Sequence, residues 1–381
     1  MQRNVPIALF AFTAFLVACG GGGSGSPPGP APTNPANPGG SSSSASPTPT
    51  PSATPMAQSQ LVYAANGNGN GQILAFQTGV SGNLTPVKTM SGPQTLLNYP
   101  AHLAFDSPGN LYVANGGLPN ATVTLSITVY AKGSNGNATP VRVIEGANTG
   151  FNNARTLDGL AVDRSGYTYV SERTGSATCT SSTCVVNSND TIAIFAPSAN
   201  GNVAPTRTFT SSDCFAAGEI VIEPSGDISI TCDIDFPNYY GNQIVTFAAS
   251  SSGNVRASRV IPGARQAGQS LALSPLGILF ETSYDPNNTV EGFPDTANDN
   301  GTPTVILTDG GTFDWQPVDL AEDSNSVLYV LNNVTGGEQI LEFNSAANGD
   351  APPRFTISGS NTGLSNCNSG ACYLSIAVGP P

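Results

Sequence analysis

From Leu61 to the C-terminus, apolar residues come in short runs separated by stretches of Gly, Asn, Pro and Ser, and no segment sustains a helical period. The stretch Tyr99 to Gly146 shows the unit. It holds four runs, Leu103 to Phe105, Leu111 to Ala114, Ile127 to Tyr130 and Val141 to Ile144, each bounded by turn residues. Runs of this length and spacing predict a four-stranded antiparallel meander.

The unit recurs. Its third run, Ile-x-x-Phe or a close variant, returns at Ile73, Ile127, Ile192, Ile244, Val290 and Ile340, with spacings of 54, 65, 52, 46 and 50 residues. Behind each copy stands a polar turn such as SGNLTP, NGNATP or NGNVAP, followed by a fourth run. The first run recurs as HLAFD, GLAVD, EIVIE, SLALS and DLAED, and once more at Leu374 to Val378; the second run opens the series at Leu61. The opening unit therefore lacks a first strand and the closing unit supplies only one. Six copies predict a closed ring of six blades, an all-β six-bladed β-propeller shut by pairing of its N- and C-terminal strands.

The runs Leu160 to Asp163, Leu103 to Asp106 with Gly109 to Ala114, and the Ile-x-x-Phe series resemble the NHL-repeat family of β-propellers. The resemblance covers about Gln60 to Pro381. The fourth and fifth units depart from it, with Glu223 and Ser274 where Asp is usual. Asp106 and Asp163 read as turn residues, since Asp-x-x-Gly after a strand is a turn signature.

The N-terminus is of another kind. Arg3 precedes an apolar core from Ile7 to Val17, which has the proportions of a secretory leader. Leu16-Val17-Ala18-Cys19 resembles the bacterial lipoprotein lipobox, which implies residues 1–18 as signal peptide and Cys19 as the lipidated mature N-terminus. Gly20 to about Pro55 carries no charge and cannot bury enough apolar surface to fold, so 19–58 reads as a lipidated, disordered tether and 59–381 as the propeller. The implied location is the bacterial envelope, anchored to membrane by the N-terminal lipid, with the outer membrane favoured by Gly20.

Charge narrows the partners. The chain of 381 residues is 10% charged with a net charge of −13, which argues against nucleic acid. Lys88, Arg142, Arg207, Arg256, Arg259 and Arg354 fall in or beside fourth strands, where a cation next to Pro is expected to discourage pairing at an exposed edge. Six cysteines beyond Cys19 suggest three disulfides in an exported protein. Blade geometry brings Cys214 beside Cys232, while Cys179 with Cys184 and Cys367 with Cys372 would each pin a loop.

Variable loops and most acids share one face. There His102, Asp158, Glu219, Gln269 and Asp319 are expected to converge on the mouth of a central funnel. Asp158, Glu219 and Asp319 form a candidate site for calcium or another divalent cation, in the manner of the resembling sugar-lactone hydrolases; alternatively they hydrogen-bond neighbouring blades. His102 is the only histidine. The loop of Asp233, Asp235, Phe236, Tyr239 and Tyr240 can meet a protein or glycan partner, or fold back on itself. The reading is a binding or interaction scaffold without catalysis, with a metal-dependent hydrolase or lyase at the funnel as the alternative.

Overall fold

The computed structural model describes residues 60–379 except 67–70, 117–123, 155, 175, 180–183, 188–189, 234–241, 263–266, 284–287, 300, 309–314, 336 and 365–374. The chain divides into Met1–Thr54, which lies outside the described residues together with Cys19, and Pro55–Pro381, which carries the fold.

Each repeat folds as the alternation of its runs dictates. The second blade has strands Pro100–Phe105, Leu111–Asn115, Ser126–Tyr130 and Arg142–Ile144, paired antiparallel in order. Five more blades follow the same order, with inner strands Thr156–Val162, Phe215–Ile222, Ala267–Leu273, Pro317–Glu322 and Ile376–Gly379. These inner strands neighbour one another in a cycle around one axis, so the protein is a six-bladed β-propeller. The last of them belongs to the first blade. Ile376–Gly379 pairs antiparallel with Leu61–Asn66, with Val62 facing Val378, and this shuts the ring.

The repeated Ile-x-x-Phe dictates the packing between blades. Ile73, Ile127, Ile244, Val290 and Ile340 are fully buried, as are Phe76, Phe195, Phe247 and Phe293, and Tyr130 replaces Phe in the second blade. Burying one such aromatic side chain stabilises by roughly 1.5–3 kcal/mol relative to exposing it. The Asp-x-x-Gly turns are structural as expected. Gly109 N donates to Asp106 O, and Asp106 Oδ1 accepts from Asn110 N. Glu223 and Ser274 make the same turn in their blades, with Gly226 N and Gly277 N donating to their carbonyls.

The outer strands differ from expectation: their edges are not left open behind cations. The Asn-Gly turn of each blade docks on the outer strand of the blade before it. Asn200 Oδ1 accepts from Val143 N, Gly201 N donates to Val143 O, and Asn202 Oδ1 accepts from Asn148 N at 2.7 Å. The contact repeats with Asn135 on Thr89, Asn298 on Val260 and Asn348 on Ile306. Turn residues Gly253 and Asn254 pair with Phe209 and Thr210, and Ser81 accepts from Thr356 N, which completes the circle from sixth blade to first. The cations join in. Arg142 Nη1 donates to Pro197 O, and Arg207 Nη1 to Ala249 O, each in the following blade. These two tie blades together, whereas Lys88, Arg256 and Arg259 meet Tyr63, Asp213 and Glu223 of their own blades.

Candidate functional site

Each inner strand enters from a loop between blades, so its first residues stand at the loop-bearing end of the axis. Leu103, Leu160, Ile220, Leu271, Leu320 and Ile376 share one register and form a buried apolar belt. The residues one step before them form a polar ring: His102, Gly159, Glu219, Ser270, Asp319 and Ser375. In five blades the ladder between first and second strands breaks just here, between Pro100 and His102, Leu157 and Gly159, Ala217 and Ile220, Ala267 and Leu271, and Pro317 and Asp319. A bulge adds backbone on one strand and re-aims the side chain beside it.

The ring residues hold one another. His102 Nδ1 and Glu219 Oε2 are 2.7 Å apart, joining the second blade to the fourth. The third blade permits this because it offers only Gly159 at that level; a Cβ there would stand 2.2 Å from Gly218 O. Leu160 N donates to Glu219 Oε1. Asp319 Oδ1 accepts from Ser270 Oγ at 2.6 Å, and Asp319 Oδ2 from Ile376 N at 2.6 Å, so one carboxyl ties the fifth, sixth and first blades. Asp158, one step further out, pairs with Arg173.

The electrostatics follow from burial and from the excess of acids. Burial works against a charged His102, but Glu219, by charge and hydrogen bond, and then Asp158 and Asp319 outweigh it and raise its pKa above 6.5. Burial, reinforced by the nearby Glu219 charge, pushes Asp319 up to about 6. Beneath the ring lies an axial cavity of about 340 Å³, lined by Glu219, Asp319 and Ser375 at the mouth and by the apolar belt below.

Three of the expected mouth acids, Asp158, Glu219 and Asp319, thus surround His102. Gln269 is displaced from the expected set: Ser270 occupies the ring register, and aligning QSLAL on its first Leu locates it. Arg173 as the partner of Asp158 was the other contact sequence reasoning missed. Among the described residues no three His, Cys, Asp or Glu side chains are grouped to hold a metal ion. The strand Ile228–Asp233 ends at the candidate partner loop, and Asp235, Phe236, Tyr239 and Tyr240 lie outside the described residues.

The ends of the second strands fix the loops that enter the mouth. Asn115 Oδ1 accepts from Asn98 N, and Asn332 Oδ1 from Gln316 N. In the fourth blade Cys232 takes this register and forms the expected disulfide with Cys214, Cα atoms 5.1 Å apart, so a covalent bond does there what Asn does elsewhere. In the third blade Glu172 takes it, and burial pushes its pKa up to about 8. Cys179 and Cys184 face each other in the register of a short hairpin, Ser176–Cys179 with Cys184–Asn187. Cys367 and Cys372 lie outside the described residues.

No family model matches the chain, and no curated protein matches it. Among solved structures, a Bacteroides caccae protein of unknown function aligns with a TM-score of 0.53 at 10% identity, covering 85% of this chain and all of that one. The WD40 β-propeller domain of Doa1 aligns at 0.43 and 12% identity, covering 72% of this chain and 87% of its own. A chain of the mitotic checkpoint complex aligns at 0.44 and 14% identity, covering 71% and 68%. The first of these likenesses supports the fold; none supports an activity.

Proposed function

We propose that this protein is an exported, lipid-anchored propeller of NHL type that presents its loop-bearing face to a protein partner in the bacterial envelope. The observation that carries the reading is the double tying of the ring, at the axis by His102, Glu219 and Asp319 and at the rim by the Asn-Gly turns. A frame fixed at both radii holds loops of unequal length in constant relation, as recognition requires. The mouth groups spend their hydrogen bonds on neighbouring blades, which favours a scaffold over a hydrolase.

The anchor rests on sequence: Leu16-Val17-Ala18-Cys19, then an uncharged tether of about 36 residues that would reach roughly 30–35 Å. Two experiments test the proposal. Mass spectrometry of the mature chain should find Cys19 acylated, and Cys19→Ala should move the protein from the detergent phase to the aqueous phase. Crosslinking in intact envelopes should recover a protein partner that is lost with Tyr239→Ala and Tyr240→Ala together while the melting temperature holds. Recovery of glycan alone, or an aqueous wild type, contradicts it.

A further inference from the structure

At the mouth, charges and partners do not balance. Asp158 has Arg173, and Glu219 has His102. Asp319 is 6% exposed and, among the described residues, accepts from a hydroxyl and a backbone amide but pairs with no cation, His102 acting on it only at longer range. A buried carboxylate without a cation is costly and ordinarily shifts its pKa or takes a counter-charge. Asp319 and Glu219 also line the axial cavity, whose volume lies in the range of small-ligand pockets. Directly beneath them the wall becomes Leu103, Leu160, Ile220, Leu271, Leu320 and Ile376. An occupant of this space would meet an anionic rim, then a narrow wall of apolar side chains and strand backbone, with Glu322 at the far end of its strand.

We propose that the funnel mouth is a binding site for a primary ammonium group carrying a slender alkyl chain, as in a small amine or the side chain of a lysine. The head sits against Asp319 and Glu219, and the alkyl part enters the apolar belt. A bare divalent ion fits less well, because among the described residues no group of three His, Cys, Asp or Glu is placed to hold one, whereas an ammonium needs only the lone pairs left on oxygens that already accept from Ser270, Ile376 N and Leu160 N. The charged groups that face the site are His102, Asp158 with Arg173, Glu219 and Asp319 at the mouth, and Glu322, whose pKa burial raises, further along the cavity. As pH falls from about 7.5 to 5.5, Asp319, pushed up to about 6, takes up its proton, so the mouth loses negative charge and the ammonium is released. This inference does not depend on lipid anchoring or on the loop partner, so either can fail without the other.

The test uses the full-length protein in detergent, with n-butylamine, n-butanol, ammonium chloride and calcium chloride as probes. A lysine amide and a short lysine-containing peptide distinguish free amine from side chain. At pH 7.5, n-butylamine at ten times its Kd should raise the melting temperature by about 2–4 °C. The shift should shrink about twofold at pH 5.5 for the same amine concentration, and butanol and ammonium alone should give far less. Asp319→Asn should abolish it. An absent shift, an equal shift in Asp319→Asn, a shift indifferent to pH, or a larger response to calcium overturns the proposal. The pH arm in the unaltered chain keeps the test decisive if the variant fails to fold.

Discussion

Asn202 of the third blade fills the hollow that Gly146 of the second leaves open: a Cβ on Gly146 would stand 2.7 Å from the Asn202 amide, and the glycine has φ of +112°. The same pairing joins Gly92 to Asn137 and Gly359 to Asn83. In each, the glycine opens a tight turn closed by a threonine three residues on, with Thr149 Oγ1 donating to Gly146 O at 2.7 Å. A Gly-x-x-Thr after the outer strand is thus the receptor for the next blade's turn.

Asn202→Ala should remove the acceptor for Asn148 N and destabilise by about 0.5–1 kcal/mol, since this exposed amide loses its partner to water. Gly146→Ala should cost more, through both clash and positive φ. In urea unfolding the two changes together should cost less than their sum, because either one alone breaks the same contact.

Glu172 makes stability depend on pH with a definite sign. Its folded pKa of about 8 lies above the ordinary 4.5, so the folded state holds a proton that the unfolded chain releases. Stability is therefore lost as pH rises from about 4.5 through 8. Glu172→Gln should gain up to about 3 kcal/mol at pH 7 and almost nothing at pH 4. Denaturant midpoints measured at both values check this.

The Cys214–Cys232 bond closes a separation of 18 residues, for which chain entropy gives about 3 kcal/mol. Changing both cysteines to Ser should lower stability by that order. The strand Phe215–Ile222, which carries Glu219, should show the largest rise in amide exchange.

Much of this fold was legible in the sequence, for physical reasons. Ile-x-x-Phe recurs because an alternating strand must bury one face between blades, and Leu61 and the last run complement each other because an open ring leaves edges. The Asn-Gly turns were legible only as turns, since a side chain that accepts hydrogen bonds from another blade looks like any turn Asn. The ring was half visible. His102, Glu219 and Asp319 stand one before the first-strand apolar residue, but the bulges that set them level with Ser270, and the emptiness at Gly159 through which His102 reaches Glu219, depend on three-dimensional packing.

The second and fourth blades meet at the axis through His102 and Glu219. The single histidine makes this directly measurable by NMR titration of the His102 imidazole. The predicted midpoint lies above 6.5 in the intact protein and falls in Glu219→Gln, where burial, opposed only by Asp158 and Asp319, lowers it. A midpoint at or below 6.5 in the intact protein, or one unmoved by Glu219→Gln, would contradict the convergence of these blades on one axis.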